Sequence, residues 1–374
     1  MAALLPNEYN RAELAAIAAI KRGAPLQTRA ESTAVPPGVS YRPLNACKET
    51  AVHFGQRKLF VGELGFFARN LRSTDEVALV VYAGAAPGQH LPELARLFPG
   101  LRFVLYDPVP FSAELRRRPE FELHQKYFTD ADAAEWNGRA DFFISDIRCA
   151  VSVADEVEEP AARAARMSTN EAKISEDMAL QQGWVRLVRP RRASWLKMRL
   201  PFNDPAVTVP LRVKYLAGAV HWQPWAPPSS TEVRLEVPAA GGAPGAPGDY
   251  ATQEYDAVAH ENRAYYYNKF LREYARYANP ALARSLSHDE ALEYTLWLAY
   301  FALPGPKPFP SVVRAVEQTT PSPGQKIALT ARGVTHRCKL PLQPTPRQER
   351  WLAAQSRPPR GRYAHGSSSG AHAR

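Results

Sequence analysis

Four ionisable residues far apart in the chain, Lys58, Asp146, Lys197 and Glu232, have the types most able to do chemistry together. Each lies in a short segment typical of the end of a buried element: GQRKLFVGEL, DFFISDIR, SWLKMRLPF and PPSSTEVRLEV. Methyl transfer to a ribose 2′-hydroxyl needs such a set, because one amine must lose its proton near neutral pH. A second cation favours that loss, and carboxylates position the amine. Taken singly, a Lys or Glu at a strand end is more often a solvated flank.

A glycine-bearing turn, VVYAGAAPGQH, is the predicted ligand-binding element beside this set. Gly84 and Gly88 let the backbone approach a ligand closely. The motif is not GxGxxG and no Walker A lysine follows, which disfavours NAD and P-loop nucleotides. Asp107 ends the next predicted strand, where it can accept hydrogen bonds from a ribose diol. Tight packing is the ordinary explanation of such a turn, but Asp107 and the SDIR segment together favour S-adenosylmethionine as the ligand.

Strands and helices alternate along the middle of the chain. Continuous apolar runs predict buried strands in EVALVVYAG, LRFVLYD, FELHQKYFT, DFFISDIR and RASWLKMRLPF. Helices are predicted for residues 53–72, AAPGQHLPELARLF, SEDMALQQGWVRLV, HENRAYYYNKFLREYARY and DEALEYTLWLAYFAL. This alternation predicts an α/β fold with a doubly wound, mainly parallel central sheet and helices on both faces. After residue 216 an aromatic and proline-rich segment precedes one more strand.

Composition limits the classes of protein that this chain can be. It has 374 residues, 45% of them hydrophobic and 10% aromatic, enough for one large domain with appendages or for two domains. Three scattered cysteines provide neither metal-ligand spacing nor a disulfide framework, which indicates an intracellular setting. No apolar run approaches the ~20 residues of a membrane span. The N-terminus does not resemble a signal peptide, and AELAAIAAIKR predicts a short helix packed on the domain or on a partner.

Nearly all the excess positive charge lies at the C-terminus. The net charge is +10, and residues 321–374 contain ten Lys and Arg against one acid, a net +9. This proline-rich segment is predicted to be disordered, either as a solubilising tail or as a mobile contact for nucleic acid. We therefore expect a single domain with flexible termini: an N-terminal arm at 1–40, the catalytic domain at 41–318 and a basic tail at 319–374.

Five segments carry a resemblance to a known family: GQRKLFVGEL, VVYAGAAPGQH, FISDIR, WLKMRLPF and PSSTEVRLE. They resemble the poxvirus cap-specific mRNA 2′-O-methyltransferases, which also serve as the small regulatory subunit of the viral poly(A) polymerase. The similarity runs in order from about Tyr41 to about Pro310. It implies a Rossmann-like methyltransferase fold, S-adenosyl-L-methionine as cofactor without a metal, capped mRNA as substrate and the polymerase catalytic subunit as a partner in a heterodimer. It also implies a location in the virion and the host cytoplasm, without membrane association.

The resemblance implies a role for each matching position. It makes Lys197 the catalytic base, with Lys58, Asp146 and Glu232 completing the set. The implied cofactor contacts are Gln56, Tyr82, Gly84, Gly88, Asp107, Val109, Thr129, Asp146 and Arg148. Val109 departs from the family pattern, which has an arginine there, so an adenine contact by that side chain is not expected here.

A pocket for the methylated cap guanine is also implied by the resemblance. Two aromatic rings, matching Phe202 and Tyr41, sandwich a base that N7-methylation has made cationic. Asp204 and Glu261 match the carboxylates that bind the guanine edge. The other implied cap contacts are Arg199, Leu200, Pro201, Ser230, Thr231 and Glu232. Without the resemblance, Phe202 would be interpreted as a core aromatic and Glu261 as a surface acid of a helix.

The activity predicted is attack of the first transcribed nucleotide's 2′-hydroxyl on the methyl group of S-adenosylmethionine. The ordinary pKa of a lysine is about 10.4, so a lysine base needs a neighbouring cation and partial burial to lower that pKa. The main alternative is a non-catalytic RNA-binding subunit of the polyadenylation complex, which would not need two buried lysines. An NAD-dependent oxidoreductase is disfavoured by the missing third glycine and the missing Tyr-x-x-x-Lys motif.

Overall fold

The computed structural model describes seven segments of the chain: residues 9–42, 55–148, 160–204, 209–227, 230–242, 249–280 and 284–307. The predicted basic tail and the first eight residues lie outside these segments. None of the helices within them is long and apolar enough to span a bilayer.

A seven-stranded sheet forms the centre, in the order β3-β2-β1-β4-β5-β8-β7. Its strands are β1 (Ala78–Ala83), β2 (Leu101–Tyr106), β3 (Phe121–His124), β4 (Phe142–Ser145), β5 (Ala193–Met198), β7 (Ala219–His221) and β8 (Val233–Pro238). Strands β1 to β5 are mutually parallel, whereas β8 runs antiparallel to both β5 and β7. The predicted Rossmann-like α/β fold class is confirmed.

Alternate residues of the central strands build two separate cores. Along β1, Val80 and Tyr82 belong to one hydrophobic cluster, and Val81 and Ala83 belong to the other. This follows from the two-residue period of a strand, which sends successive side chains to opposite faces. Every residue of β1 except Leu79 is buried, so both faces are covered, as in a doubly wound sheet.

Helices cover the two faces of the sheet. They are α1 (Arg11–Gly23), α2 (Gly55–Asn70), α3 (Leu91–Leu97), α4 (Asp130–Glu135), α5 (Pro160–Val188), α6 (Ala257–Tyr266), α7 (Arg272–Tyr274) and α8 (His288–Ala302). The first cluster joins α2, α3 and α8 to one face, and the second joins α1, α4, α5 and α6 to the other. The helix predicted over 53–72 is observed with nearly the same bounds.

Helix α1, which the sequence predicts within the N-terminal arm, packs on the body of the protein. Its buried residues Ala16, Ile17 and Ile20 share a cluster with α6. Tyr9, just before the helix, makes an edge-on ring contact with Phe270 at 6.0 Å. The division into arm, domain and tail stays a prediction, but residues 9–42 are integrated with the core.

The sequence analysis missed five short strands: β7 at the edge of the central sheet, and four strands outside that sheet. Two pairs form small antiparallel sheets: β6 (Arg212–Leu216) with β9 (Thr252–Asp256), and β10 (Arg276–Asn279) with β11 (Arg284–Ser287). The long helix predicted from His260 to Tyr277 was wrong at its end. The observed helix continues from α6 through a π-helical turn (Tyr267–Leu271) and stops at Tyr274, because residues 276–279 pair with β11 instead. Local helix propensity is a weak signal that tertiary pairing overrides.

Candidate active site

Strand order and register bring three of the four predicted catalytic residues to one edge of the sheet. Asp146 directly follows β4, and Ser145 pairs with Leu196, so Asp146 lies beside Lys197 near the end of β5. Because β8 runs antiparallel to β5, its beginning is at the edge where β5 ends, and Glu232 immediately precedes it. The fourth residue, Lys58, comes from the first turns of α2.

The four side chains meet through short ionic contacts. Lys58 Nζ donates to Glu232 Oε1 at 2.6 Å, and Lys197 Nζ is 2.9 Å from Asp146 Oδ1. Lys197 also lies 3.9 Å from Glu232 Oε2 and 3.3 Å from the Asp146 carbonyl oxygen. All four side chains are between 12% and 16% exposed, so the cluster is largely shielded while remaining open to a substrate.

Arg234 is a member of this cluster that the sequence analysis missed. It stands directly opposite Lys197 in the β5–β8 register, and its side chain is only 2% exposed. Its guanidinium donates to Asp146 Oδ1 at 2.6 Å and lies 3.8 Å from Glu232. Gln223 accepts from its Nε at 2.9 Å and donates to Glu232. The signal was present in the sequence, since residues i and i+2 of a strand share a face.

The electrostatics of the cluster keep both carboxylates ionised. Burial alone would raise the pKa of Asp146, but Arg234 and Lys197 outweigh it and lower that pKa. Burial acts the same way on Glu232, whose pKa is held well below its ordinary value by Lys58, Lys197 and Arg234. In contrast, burial lowers the pKa of Lys58, with Arg234 adding to the shift and Glu232 opposing it.

Cations outnumber anions here. Two carboxylates face four basic side chains, because Arg148 joins the cluster through a contact of 3.2 Å to Glu232 Oε2. Arginine does not lose its proton in proteins, whereas a lysine amine does when like charge and burial disfavour its charged form. The cluster therefore suits a lysine that exchanges a proton.

The predicted cofactor turn adopts the backbone that its glycines suggest. Gly84 and Gly88 have φ values of 79° and 66°, which side chains rarely tolerate. A Cβ on Gly84 would lie 2.8 Å from the backbone nitrogen of Ile147, so the turn passes tightly against the segment that carries Asp146. Asp107 braces the turn by accepting from the backbone N–H groups of Ala86 and Val109, at 3.0 and 2.8 Å.

The other predicted cofactor contacts are distributed around this turn. Tyr82 is buried and donates its hydroxyl to Glu63 at 2.8 Å, and Glu63 also contacts His90 at 3.0 Å. Val109 is 56% exposed. Thr129 caps α4 and exchanges hydrogen bonds with Asp132, so its hydroxyl is engaged. Gln56 lies in the first turn of α2, and its side chain is outside the described part of the structure.

The predicted cap residues also converge. Burial raises the pKa of the Tyr41 phenol, and the nearby charges of Glu261 and Asp204 raise it further. Burial raises the pKa of Glu261 to about 7, with Asp204 and Glu171 adding to the shift while a bond from the Asn203 backbone and the Arg199 charge oppose it. Among the described residues, Glu261 Oε1 is buried without a hydrogen-bond partner. An unpaired buried carboxyl oxygen is costly unless a ligand pairs with it.

A cation already stacks on one of the two predicted rings. The Arg199 guanidinium carbon lies 4.1 Å from the centroid of Phe202. Glu171, a buried residue of α5 that the sequence analysis missed, accepts from Arg199 at 2.7 Å and from the Phe202 backbone at 3.3 Å. The Glu171 carboxylate thus holds both the Phe202 backbone and the Arg199 guanidinium that stacks on the Phe202 ring.

The remaining predicted cap residues have mainly supporting contacts. Leu200 and Pro201 are buried behind Phe202. The Ser230 hydroxyl accepts from the Glu232 backbone at 3.1 Å, and the Thr231 carbonyl accepts from His260 at 2.8 Å. These bonds hold the segment that leads into Glu232.

Comparison with known proteins identifies the lineage. A model of the family described as "Poly A polymerase regulatory subunit" matches residues 39–303. The chain belongs to this family. The match begins near Tyr41 and ends at the close of α8, so it spans both the charged cluster and the predicted cap residues. The resemblance found in the sequence is confirmed.

Curated relatives and a solved structure add detail. Two proteins from Myxoma virus, strains Lausanne and Uriarra, are named cap-specific mRNA (nucleoside-2′-O-)-methyltransferase. Each is 28% identical over 247 residues, covering 63% of this chain and 67% of the relative. A probable spermidine synthase from Corynebacterium glutamicum matches at 13% identity and a TM-score of 0.24, over 42% of this chain and about half (52%) of that one.

Proposed function

We propose that this chain is an S-adenosylmethionine-dependent methyltransferase acting on the ribose 2′-hydroxyl of the first transcribed nucleotide of capped mRNA. The observation that carries the proposal is the closed cluster of Lys58, Asp146, Lys197, Glu232 and Arg234 at the carboxyl edge of the sheet. A structural ion-pair network alone would not need an excess of cations in a largely buried site. The name of the Myxoma virus relatives supports the same activity.

The residues around the glycine turn fit S-adenosylmethionine. The turn at Gly84 and Gly88 leaves no room for side chains, and Asp107 keeps acceptor capacity beyond the two backbone bonds that it receives. These residues would hold the nucleoside part, with Tyr82 and Asp146 beside them. When bound there, the cofactor supplies an electrophilic methyl group carried on a sulfonium.

The protein's own residues supply the proton acceptor and the alignment. The bound cofactor would supply its methyl group to the ribose oxygen, and its sulfur would keep the electron pair of the carbon–sulfur bond. The hydroxyl proton would pass to the amine of Lys197, which serves as the base in this proposal. Asp146 positions that amine, with its Oδ1 2.9 Å from Lys197 Nζ. The reaction as written needs no metal.

Cap selection would come from the pocket around Phe202 and Tyr41. A methylated guanine is a cation, so it favours aromatic faces and ionised carboxylates. Asp204 would accept from the guanine edge, together with the Glu261 oxygen that has no hydrogen-bond partner among the described residues. Phe202 lies five positions after Lys197. One short segment of the chain would therefore contact both the recognised base and the reacting ribose.

We also propose the second role that the family description suggests, as the subunit of a poly(A) polymerase that supports its processivity. The partner would be the polymerase catalytic subunit, bound together with RNA. This role is compatible with the enzymatic one, because the charged cluster occupies only one edge of the sheet.

The test is transfer of labelled methyl from S-adenosylmethionine to short RNAs that are capped or uncapped. The proposal expects incorporation into capped RNA alone, at the 2′-oxygen of the first nucleotide. Thermal stabilisation by S-adenosylhomocysteine separates the enzyme from the alternative, a non-catalytic RNA-binding subunit, which would not be stabilised. No transfer and no stabilisation would reject the enzymatic function.

A further inference from the structure

Helix α1 begins with a capping box whose acid also bonds two other segments. Asn10 caps the helix, its side chain accepts from the Glu13 backbone at 2.9 Å, and Glu13 Oε2 accepts from the Asn10 backbone at 2.8 Å. The acid of a capping box satisfies the backbone donor of the capping residue. The Glu13 side chain is fully buried.

Glu13 is buried because two other segments bind it. The Arg42 guanidinium lies 2.5 Å from Glu13 Oε2, and the Tyr265 hydroxyl donates to Oε1 at 3.1 Å. Tyr265 belongs to α6, whereas Arg42 belongs to the extended segment after the helix. One carboxylate therefore joins three segments that are distant in sequence.

All of these contacts converge on Tyr41. Arg42 is its covalent neighbour, and Tyr265 meets its ring edge-on, with centroids 5.9 Å apart and planes at 80°. The Tyr41 backbone also donates to Asn262 of α6 at 2.7 Å. Glu261 precedes Tyr265 by four positions, so both lie on one face of α6. The Tyr41 ring is thus held on α6, the helix that also carries Glu261.

We propose that Glu13 is a positioning residue that sets the Tyr41 ring for recognition of the methylated cap base, so that the N-terminal helix forms part of the cap site. This inference rests on the proposed cap-dependent function. Glu13 does not touch the base. It acts by fixing both the residue after Tyr41 and the ring beside it, and α1 is anchored by its own buried apolar face.

The first experiment measures, by fluorescence quenching, the binding of N7-methyl-GTP and of GTP to wild type and to Glu13→Gln. If the competent ring orientation falls to about one fifth of the population, the apparent affinity for the methylated nucleotide falls about fivefold. Affinity for GTP and for S-adenosylhomocysteine should not change. Arg42→Gln removes the same link from a side chain that is 46% exposed, so it gives the same readout if the Glu13→Gln variant is poorly folded.

Matched variants separate positioning from helix capping. Asn10→Ala weakens the start of α1 but leaves the bonds from Glu13 to Arg42 and Tyr265, so cap affinity should remain that of wild type. Tyr265→Phe keeps the ring beside Tyr41 and removes the hydroxyl that bonds Glu13 and Arg42. The loss should be smaller, because Glu13 and Arg42 still pair with each other. In a Tyr41→Ala background the effect of Glu13→Gln should vanish, because the two residues act as one unit.

Three results would overturn the inference: wild-type cap affinity in Glu13→Gln and Arg42→Gln, an equal loss in Asn10→Ala, or an undiminished Glu13→Gln effect without Tyr41. Each of these presupposes a wild type that prefers the methylated nucleotide. A wild type without that preference, and with no loss in Tyr41→Ala, would instead reject the proposed cap function and this inference with it.

Discussion

The charged cluster and the predicted cap pocket shift the pKa values of their carboxyl groups in opposite directions. In the cluster, Asp146 and Glu232 are surrounded by cations that lower their pKa values despite burial. In the pocket, Glu261 has its pKa raised to about 7 by burial, and one of its oxygens has no partner in the described structure. The cluster therefore keeps its carboxylates ionised, whereas the buried Glu261 oxygen is, in our proposal, an acceptor for the methylated base.

The two regions are also assembled differently. The cluster lies on adjacent strands, where the register alone sets which side chains meet. The proposed pocket comprises residue 41, residues 202–204 and residue 261. Two buried acids bond residues beside its rings: Glu171 accepts from Arg199, and Glu13 accepts from Tyr265. Substitutions in the cluster should thus have large, all-or-none effects, and those in the pocket should have graded effects on binding.

The largest expected effect is on the proton acceptor. Lys197→Arg keeps the positive charge but cannot be deprotonated at working pH, so methyl transfer should fall at least about 100-fold. Binding of S-adenosylhomocysteine and N7-methyl-GTP should persist. Labelled-methyl transfer under single-turnover conditions measures the rate.

Lys58→Arg is the matched control for that assignment. If Lys58 only needs to pair with Glu232, an arginine retains that pairing and a substantial rate. Because burial lowers the pKa of Lys58, this side chain is the competing candidate for the base. An active Lys197→Arg protein beside an inactive Lys58→Arg protein would exchange the two roles.

The second prediction concerns Arg234 and stability. Arg234→Met leaves Asp146 and Glu232 without their most buried cation, and breaking such a pair costs roughly 3–5 kcal/mol. The free energy of unfolding, from urea titration, should fall by about that amount. Arg212→Met, at an ion pair that is 67% exposed on the arginine side, should change it by less than about 1 kcal/mol. Equal changes in both variants would show that the cluster is not energetically distinct.

The third prediction tests the ring in the cap pocket. Phe202→Ala should weaken N7-methyl-GTP binding by about tenfold or more, since a desolvated cation–π contact contributes ~2 kcal/mol. Asp204→Ala should also weaken it, by removing an acceptor for the guanine edge. Affinity for S-adenosylhomocysteine is the internal control. Unchanged discrimination between methylated and unmethylated guanine in both variants would rule out this pocket.

Much of this arrangement was predictable because its signals are local. Apolar runs indicated the five parallel strands, and a strand that ends in Ser145 necessarily carries Asp146 to the ligand-binding edge. Arg234 was missed although its spacing from Glu232 places it on the same face, because the family resemblance points to four residues and Arg234 is not among them. That spacing is a signal that sequence reasoning can use.

Other features could not be predicted because they depend on contacts between distant segments. Nothing near Glu13 in the sequence indicates that its partners are Arg42 and Tyr265, and Glu171 meets Arg199 only through packing of α5. The β10–β11 pair replaced predicted helix for the same reason. The roles of the site residues remain proposals that the variants above test.

The fourth prediction is a pH dependence with a defined sign. Glu261 is largely neutral below its pKa of about 7, while a cationic base favours the ionised form. Affinity for N7-methyl-GTP should therefore fall as the pH is lowered from 7 to 5, by at most about tenfold per pH unit. Glu261→Gln should flatten this part of the profile, measured by fluorescence titration. A profile that stays equally steep in the variant would assign the dependence to another group.

The raised pKa of Glu261 has the opposite pH dependence for the stability of the fold. A carboxyl whose pKa is raised in the folded state stabilises the fold below its ordinary value of 4.5, and this contribution is lost as the pH rises through about 7. Wild type should lose stability relative to Glu261→Gln between those two pH values. Urea unfolding at several pH values gives the difference.

The smallest effect on methyl transfer is expected from the basic C-terminus. Deleting the residues after 319 removes most of the net positive charge but none of the proposed site residues. Methylation of short capped RNA should therefore be unchanged, whereas affinity for longer RNA should fall. Each lost phosphate contact should lower the slope of log affinity against log salt by about 0.7 for single strands.

The same deletion separates RNA binding from partner binding. We expect the polymerase catalytic subunit to dock on the folded body, because a stable interface needs an apolar centre that excludes water, and a charged proline-rich segment offers none. The truncated protein should still be retained by the immobilised polymerase subunit. Loss of that retention, with methylation intact, would make the C-terminus the docking segment and leave the catalytic cluster and the cap pocket as the functional centres of the folded body.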